Sequence, residues 1–218
     1  YDMRVSLGLV DPEKNNTYRL VHGEGDSLPG LIVDVYDETA VMQAHSVGMH
    51  ETREILAKAI IENVPQVKHV YYKSATTLPF NAPITPEDGY LIGEETPSLS
   101  AIENGLEFHV DWLRGQKTGF FVDQRENRSL LERYSKGKSV LNMFCYTGGF
   151  SVYALRGGAE VVHSVDSSTK AIALTDKNVE LNFPADPRHK SFDEDAFKYL
   201  NNLHTFEQKY DLIILDPP

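Results

Sequence analysis

Residues 138–166, KSVLNMFCYTGGFSVYALRGGAEVVHSVD, constrain the fold more than any other stretch of the chain. Ser139 to Met143 is a short apolar run without alternation, as expected of a strand buried on both faces of a parallel sheet, with Asn142 its polar exception. Thr147, Gly148 and Gly149 supply a turn where backbone can approach a ligand closely, and Phe150 to Arg156 has helical character until Gly157-Gly158 stops it. A second strand, Val161 to Val165, ends on Asp166. Strand, glycine turn, helix, strand and acidic residue make a βαβ unit of the cofactor-binding kind. An ordinary strand-to-helix loop is the alternative for a turn this simple.

The turn disfavours a pyrophosphate. A dinucleotide site uses G-x-G-x-x-G so that backbone amides reach the phosphates at a helix N-terminus, and here only TGGF stands. S-adenosylmethionine carries no phosphate. It needs a turn for its amino-acid end, a carboxylate for two ribose hydroxyls and an acceptor for the adenine amine, and Asp166 is placed for the ribose.

The α/β alternation continues past Asp166. Ser168 can cap a helix running to Asn182, with Ala171, Leu174 and Leu181 on one stripe. His189 to Phe192 is a short third strand. Asp193 can cap the next helix, leaving Asp195 in its first turn, where a carboxylate also simply favours the helix dipole. Asp211 to Leu215 is the fourth strand, followed by Asp216-Pro217-Pro218. A parallel strand this apolar expects neighbours on both sides, which predicts a doubly wound sheet truncated after its fourth strand. Asp166, Asp195 and Asp216 recur in phase with three strands, at the carboxyl edge where open α/β sheets bind ligands.

The first half reads differently. Tyr18 to His22, Leu31 to Tyr36 and Ala40 to His45 suggest a small antiparallel sheet, and the GEGDSLPG segment between the first two is a structural turn or a ligand loop. Glu51 to Val64 is a helix with Ile55, Leu56, Ala59 and Ile60 on one face, and Val67 to Tyr72 is a further strand. Ser74 to Pro97, dense in Pro, Thr and Gly, is the best domain boundary. The division is then a small α+β domain over 1–97, a connecting segment over 98–137 and an α/β domain over 138–218. In the connecting segment, Leu106 to Leu113 is a strand leading into GQKTGFFVDQRENR, with a helix from Asp123 that carries Leu130, Leu131 and Tyr134. Lys117, Gln124, Arg125 and Arg128 next to Phe120 and Phe121 suit a ligand carboxylate or a nucleic-acid backbone and base; a solvated helix start with core phenylalanines explains them equally.

Composition narrows the function class. The formal net charge of −11 argues against a general electrostatic grip on nucleic acid. Trp112 to Lys136 carries a net +3, leaving −14 elsewhere, so any RNA contact is expected to be local. One cysteine excludes an internal disulfide framework, and no apolar run approaches the roughly 20 residues of a membrane span, so a cytoplasmic location is expected. Eight histidines form no zinc pattern, and His45 and His50 read as surface or helix-start residues; no metal is expected.

The segments YRLVHGEGDSLPGLIVDVY, GQKTGFFVDQRENR, LNMFCYTGGFSVYA, SVDSS and the terminal DPP together resemble the class I S-adenosylmethionine-dependent methyltransferases, and within them the bacterial 23S ribosomal RNA cytosine-5 methyltransferase family. The resemblance implies a Rossmann-like domain preceded by a small α+β domain. It also implies roles: Asn142, Tyr146, Thr147, Gly148 and Gly149 line the methionine end of the cofactor, Asp166 with Ser167 takes the ribose, and Asp195 takes the adenine. Lys117, Thr118, Gly119 and Phe120 with Gln124 and Arg125 close over cofactor or RNA, and Asp216 faces the target base. Family members carry an RNA-binding domain before this region and a nucleophilic cysteine after the DPP motif. Cys145, in the cofactor turn, fits a packing role better than that chemistry. A guanine or adenine N-methyltransferase and a noncatalytic cofactor- or RNA-binding module are the competing readings. The oligomeric state is left open, a homodimer among the options.

Overall fold

Two faces of one twisted sheet organise the N-terminal part of the chain. The computed structural model describes residues 1–79, 81, 82, 84–94, 99–205 and 208–217. Among these the chain forms two compact units, Tyr1–Gly105 with Val110–Asp123, and Leu106–His109 with Gln124–Pro218. The predicted connecting segment 98–137 is thus shared between them, and its starting boundary falls on Pro97 and Ser98, outside the described residues.

The first unit contains α1 (Asp2–Ser6), β1 (Thr17–His22), β2 (Leu31–Tyr36), β3 (Thr39–Ala44), α2 (Val47–Glu51), α3 (Arg53–Asn63), β4 (His69–Tyr72), β5 (Gly89–Ile92) and β6 (Ser100–Glu103). Strands β1 to β5 form one sheet in sequential order. It is mixed, not purely antiparallel: α2 and α3 intervene between β3 and β4, and that crossover makes the two strands parallel. Strand β5 lies inside the stretch expected to be wholly irregular; its ladder with β4 overrides the loop-like composition around it. The GEGDSLPG segment is a structural turn, opened by a short 3-10 helix, Gly23–Asp26, and fastened where the Asp26 carboxylate meets Arg4 and accepts the His22 N–H at 2.6 Å.

On one face of this sheet Leu31, Val33, Val35, Ala40, Met42 and Ala44 pack against Ala57, Ile60 and Val64 of the α3 region. The buried stripe of α3 is therefore rotated from the one expected: Ile55 and Ala59 face solvent, because Ala57 fits where the helix lies closest to the sheet. His50 is also buried, its Nδ1 2.7 Å from the Tyr72 hydroxyl. The opposite face is covered by Val110–Asp123. There the Asp34 carboxylate, fully buried, accepts from Arg19 Nε at 2.8 Å, Arg19 Nη2 at 3.0 Å and Thr118 Oγ1 at 2.6 Å. The Tyr36 hydroxyl lies 2.9 Å from Thr118 Oγ1 and 3.2 Å from the Phe120 carbonyl, and its ring stacks on Trp112. Lys73 donates to the carbonyls of Trp112 and Gly115 at 2.6 Å each.

The second unit contains β7 (Leu106–His109), α4 (Arg125–Tyr134), β8 (Ser139–Met143), α5 (Gly149–Arg156), β9 (Val161–Asp166), α6 (Thr169–Asn182), β10 (His189–Asp193), α7 (Ala196–Thr205) and β11 (Leu212–Leu215). Its sheet runs β10-β9-β8-β11, with every pair parallel. This is the doubly wound, Rossmann-like order, reversing between β8 and β11. The strand expected over Leu106 to Leu113 stops at His109, and side-chain amides of α6 bind its backbone: Asn182 Oδ1 accepts from Glu107 N at 2.9 Å and Asn178 Oδ1 from His109 N at 2.7 Å. Helix α4, preceded by a 3-10 turn, buries Arg125 and Arg128, while Leu130 and Tyr134 are exposed. No helix of the described residues is long and apolar enough to cross a membrane.

Asp34 depends on its cation. Arg19→Leu is expected to destabilise the chain by about 3 kcal/mol, since it strands a buried carboxylate, and Arg19→Lys to restore only part of that for want of the bidentate fork. Chemical unfolding of the three proteins checks both.

Candidate cofactor site

The register of the parallel sheet brings acidic side chains to one level. Met143 pairs with Val165 and with Leu215, and Asp166 pairs with Asp193. One step beyond Met143 and its partners, at the carboxyl ends of β8, β9 and β11, stand Phe144, Asp166 and Asp216. Asp195 follows two residues after Asp193. The sequence missed Asp193 as a member of this rim and assigned it a cap. In the structure Asp193 is the last residue of β10 and accepts from Thr169 Oγ1 at 2.6 Å, while Asp195 caps α7, its Oδ1 accepting from Lys198 N at 3.0 Å. The strand runs one residue further than its apolar pattern because its ladder with β9 continues to Asp166.

The turn after β8 is fixed from three sides. Phe144 and Tyr146 both take left-handed conformations, φ 55° and 48°. Cys145 N donates to the Val165 carbonyl at 3.1 Å, and Tyr146 N donates to Asp166 Oδ2 at 3.0 Å. Asp166 Oδ1 accepts from Ser168 N at 2.9 Å, so one carboxylate ties the turn to the start of α6. From α6, Thr175 Oγ1 donates to the Tyr146 carbonyl at 3.0 Å and Asn178 Nδ2 to the Thr147 carbonyl at 2.8 Å. These two were missed; their only sequence signal is polarity at positions three apart on the buried stripe of α6.

Gly148 has φ +74°, and a Cβ there would lie 2.6 Å from Thr175 Cγ2. Glycine is therefore required both by conformation and by the closeness of α6. A Cβ at Gly149 would meet Arg128 Cδ at 3.1 Å. No side chain caps α5, so the N–H groups of its first turn are presented without a side-chain acceptor at the edge of the sheet.

Asn142 is 1% exposed, and its amide nitrogen donates to Ser151 Oγ at 2.9 Å. The chain continues through Ser164 Oγ at 2.7 Å to His189 Nε2 at 2.8 Å, a buried relay between strands and α5. Burial holds the His189 imidazole below its ordinary pKa. Ser167 is exposed beside Asp166. Gln124 donates to Asp216 Oδ2 at 3.3 Å and accepts from Asn127 Nδ2 at 2.7 Å, which joins α4 to the end of β11. Arg125 is buried in the same unit. Lys117, Thr118, Gly119 and Phe120 belong to the first unit, where the Thr118 hydroxyl is engaged by Asp34. Pro218 of the terminal DPP lies outside the described residues. Among the described residues no three His, Cys, Asp or Glu side chains form a metal-binding group.

Compared with known proteins, residues 24–218 match the family model described as S-adenosylmethionine-dependent methyltransferase. The chain belongs to the S-adenosylmethionine-dependent methyltransferase family. Among its relatives is the ribosomal RNA large subunit methyltransferase I of Alteromonas mediterranea, 40% identical over 210 residues, which are 96% of this chain and 53% of that protein. A structure from Streptococcus mutans assigned as a SAM-dependent methyltransferase superposes with a TM-score of 0.86 at 31% identity, covering 100% of this chain and 55% of the other. A methyltransferase structure complexed with SAH gives the same score, identity and coverage. The chain spans about half the length of the curated relatives it matches.

Within this methyltransferase unit the one cysteine is inert by environment. Cys145 is 6% exposed, its Sγ 3.6 Å from Thr175 Oγ1, and burial pushes the thiol up to about 12. The thiol is expected to resist an aromatic disulfide reagent at pH 8 in the native chain for at least a hundred times longer than in denaturant, with absorbance of the released thiolate as the readout.

Proposed function

We propose that this chain binds S-adenosylmethionine at the carboxyl edge of its parallel sheet, as part of an enzyme that methylates large-subunit ribosomal RNA. The observation that carries the reading is Asp166: its carboxylate sits at the tip of β9 and fastens the glycine turn of β8 through Tyr146 N. The donor set fits this cofactor. An ionised carboxylate has about four acceptor sites, so Asp166 can hold two backbone N–H groups and still accept ribose hydroxyls. The rim of Asp166, Asp193, Asp195 and Asp216 disfavours a pyrophosphate and favours a ligand carrying a sulfonium and an ammonium group. The first turn of α5, begun by Gly149 and preceded by Gly148, has no side-chain cap and suits the cofactor's own carboxylate.

When bound, the cofactor supplies an electrophilic methyl group. The remaining roles belong to this chain's residues. Tyr146, Thr147, Gly148 and Gly149 shape the amino-acid end, and Asn142 supports that turn from beneath through Ser151. Asp166 and Ser167 hold the ribose, and Asp195, exposed at the start of α7, accepts from the adenine amine. Asp216, oriented by Gln124, faces the base; Lys117, Thr118, Gly119 and Phe120, with Gln124 and Arg125, serve the cofactor or RNA.

The finer reading is methylation at carbon 5 of cytosine. That carbon becomes nucleophilic only when a thiolate adds at carbon 6, with a proton shared between the Asp216 carboxyl and ring nitrogen 3; once carbon 5 carries the methyl group, a base would remove its proton and the thiolate would leave. Cys145, buried in the turn after β8, does not supply that thiolate. The name of the Alteromonas relative supports ribosomal RNA as the substrate class.

Calorimetry with S-adenosylmethionine tests the reading. Asp166→Ala and Gly148→Ala are each expected to weaken binding by more than tenfold, the first by removing the ribose acceptor and the second by forcing the turn away from Thr175. Unchanged affinity in Asp166→Ala would overturn the assignment.

A further inference from the structure

The second face of the N-terminal sheet holds a cavity of about 470 Å³, formed within the first unit. Its floor is the sheet: Ile32 on β2 pairs with Gln43 on β3, and Lys73 follows β4 beside them. Its wall is the covering segment, with Lys117 and Phe121. That volume is within the range of organic ligands, well above what a lone phosphate or water cluster needs.

Gln43 is the unexplained group. It is 6% exposed, yet its side-chain amide makes no hydrogen bond among the described residues. No fully enclosed side-chain nitrogen or oxygen in the described structure lacks a partner, so the Gln43 amide spends its small exposure on the cavity. A sheet position between Ile32 and Lys73 would pack more favourably with an apolar residue unless something uses the amide.

The charges around it are unequally committed. Arg19 is forked onto Asp34, and Lys73 is bound to two carbonyls. Lys117, on the wall, makes no hydrogen bond among the described residues; its ammonium stands 4.5 Å from the centre of the Phe121 ring. Arg19, Lys73 and Lys117 are balanced by Asp88 and Asp123 of the lining and by the Asp34 bound to Arg19, so the cavity is neutral overall in a chain of net −11, and Lys117 is the cation without a carboxylate of its own. An amide with one donor edge and one acceptor edge, an aromatic ring in the same lining and an exposed cation match a nucleobase with its phosphodiester.

We propose that this cavity binds one unpaired nucleotide of single-stranded RNA, with the base edge on Gln43 and the phosphate on Lys117. A paired base has its edge occupied and cannot enter a cavity of this size. The proposal rests on RNA being the substrate, and it adds a second contact away from the rim of Asp166, Asp195 and Asp216.

The test uses the whole 218-residue chain and a short single-stranded RNA carrying 4-thiouridine. Near-ultraviolet irradiation is expected to attach the RNA to peptides spanning 71–77 or 115–123, as read by mass spectrometry. Gln43→Leu, which keeps the shape and removes the amide, is expected to lower RNA affinity about tenfold and leave S-adenosylmethionine affinity unchanged. Attachment elsewhere, no RNA binding, or undiminished RNA affinity in a folded Gln43→Leu overturns the cavity proposal. The crosslink on the unaltered chain decides if the variant does not fold. Cofactor binding without attachment in the cavity defeats this inference alone; attachment there without cofactor binding defeats the reading of the Asp166 rim and leaves the cavity standing.

Discussion

Everything at the carboxyl edge of the parallel sheet depends on how Asp166 divides its two oxygens. One accepts from Tyr146 N in the turn after β8, the other from Ser168 N at the start of α6. The turn needs such an anchor because Phe144 and Tyr146 both sit at positive φ, a conformation that costs non-glycine residues on the order of 1 kcal/mol or more each. The carboxylate and the two α6 side chains, Thr175 and Asn178, over-determine a geometry that the local sequence would not adopt by itself. A turn held this firmly approaches a ligand already organised, so little ordering entropy remains to oppose binding. Gly148 completes the arrangement, since its missing Cβ is what lets α6 come close enough for Thr175 to reach the Tyr146 carbonyl.

The second half of the chain was far more legible than the first. Ser139–Met143 is legible to the residue, and the α/β alternation carries the strands and helices after it, because buried parallel strands separated by helices leave clear apolar runs. Ser168 was found as a cap for the same reason. The first half fails where pairing, not composition, decides the structure. Gly89–Ile92 has half-buried residues throughout and no alternation, so only its ladder with β4 makes it a strand. In α3 the periodicity was visible but its phase was not: Ile55 and Ala57 are two residues apart, and only the distance of the helix from the sheet says that the smaller one is buried. In the candidate site, glycines and aspartates at strand ends announce themselves, whereas Thr175 and Asn178 show only as polar residues on a buried stripe, and Ser151 and Ser164 act through a tertiary contact.

Buried polar residues on the two sheets meet two different fates. Asn142, Ser151, Ser164 and His189 bond to one another in a buried relay, and Asp34 accepts three hydrogen bonds from Arg19 and Thr118. These networks fix packing. Gln43 differs because its neighbours on the sheet give its amide no hydrogen bond among the described residues: Ile32 is apolar, and the Lys73 ammonium is directed to the carbonyls of Trp112 and Gly115.

Charge explains why a chain this acidic can still be reconciled with RNA. The segment from Trp112 to Lys136 is basic in sequence, but Arg125 and Arg128 are buried in α4 and contribute packing and internal contacts. Its net +3 is therefore not a surface patch, and summing charges over sequence overstates its pull on phosphate. What remains outward includes Lys117, beside an aromatic ring at the mouth of a cavity. The carboxylate rim of the other unit acts in the opposite sense: under the proposed function it would favour a cationic cofactor and disfavour phosphodiesters, so an RNA substrate would present a base to that rim and keep its backbone away from it. A nucleotide held separately, by an amide and a single cation, is the form of contact that such a charge distribution permits.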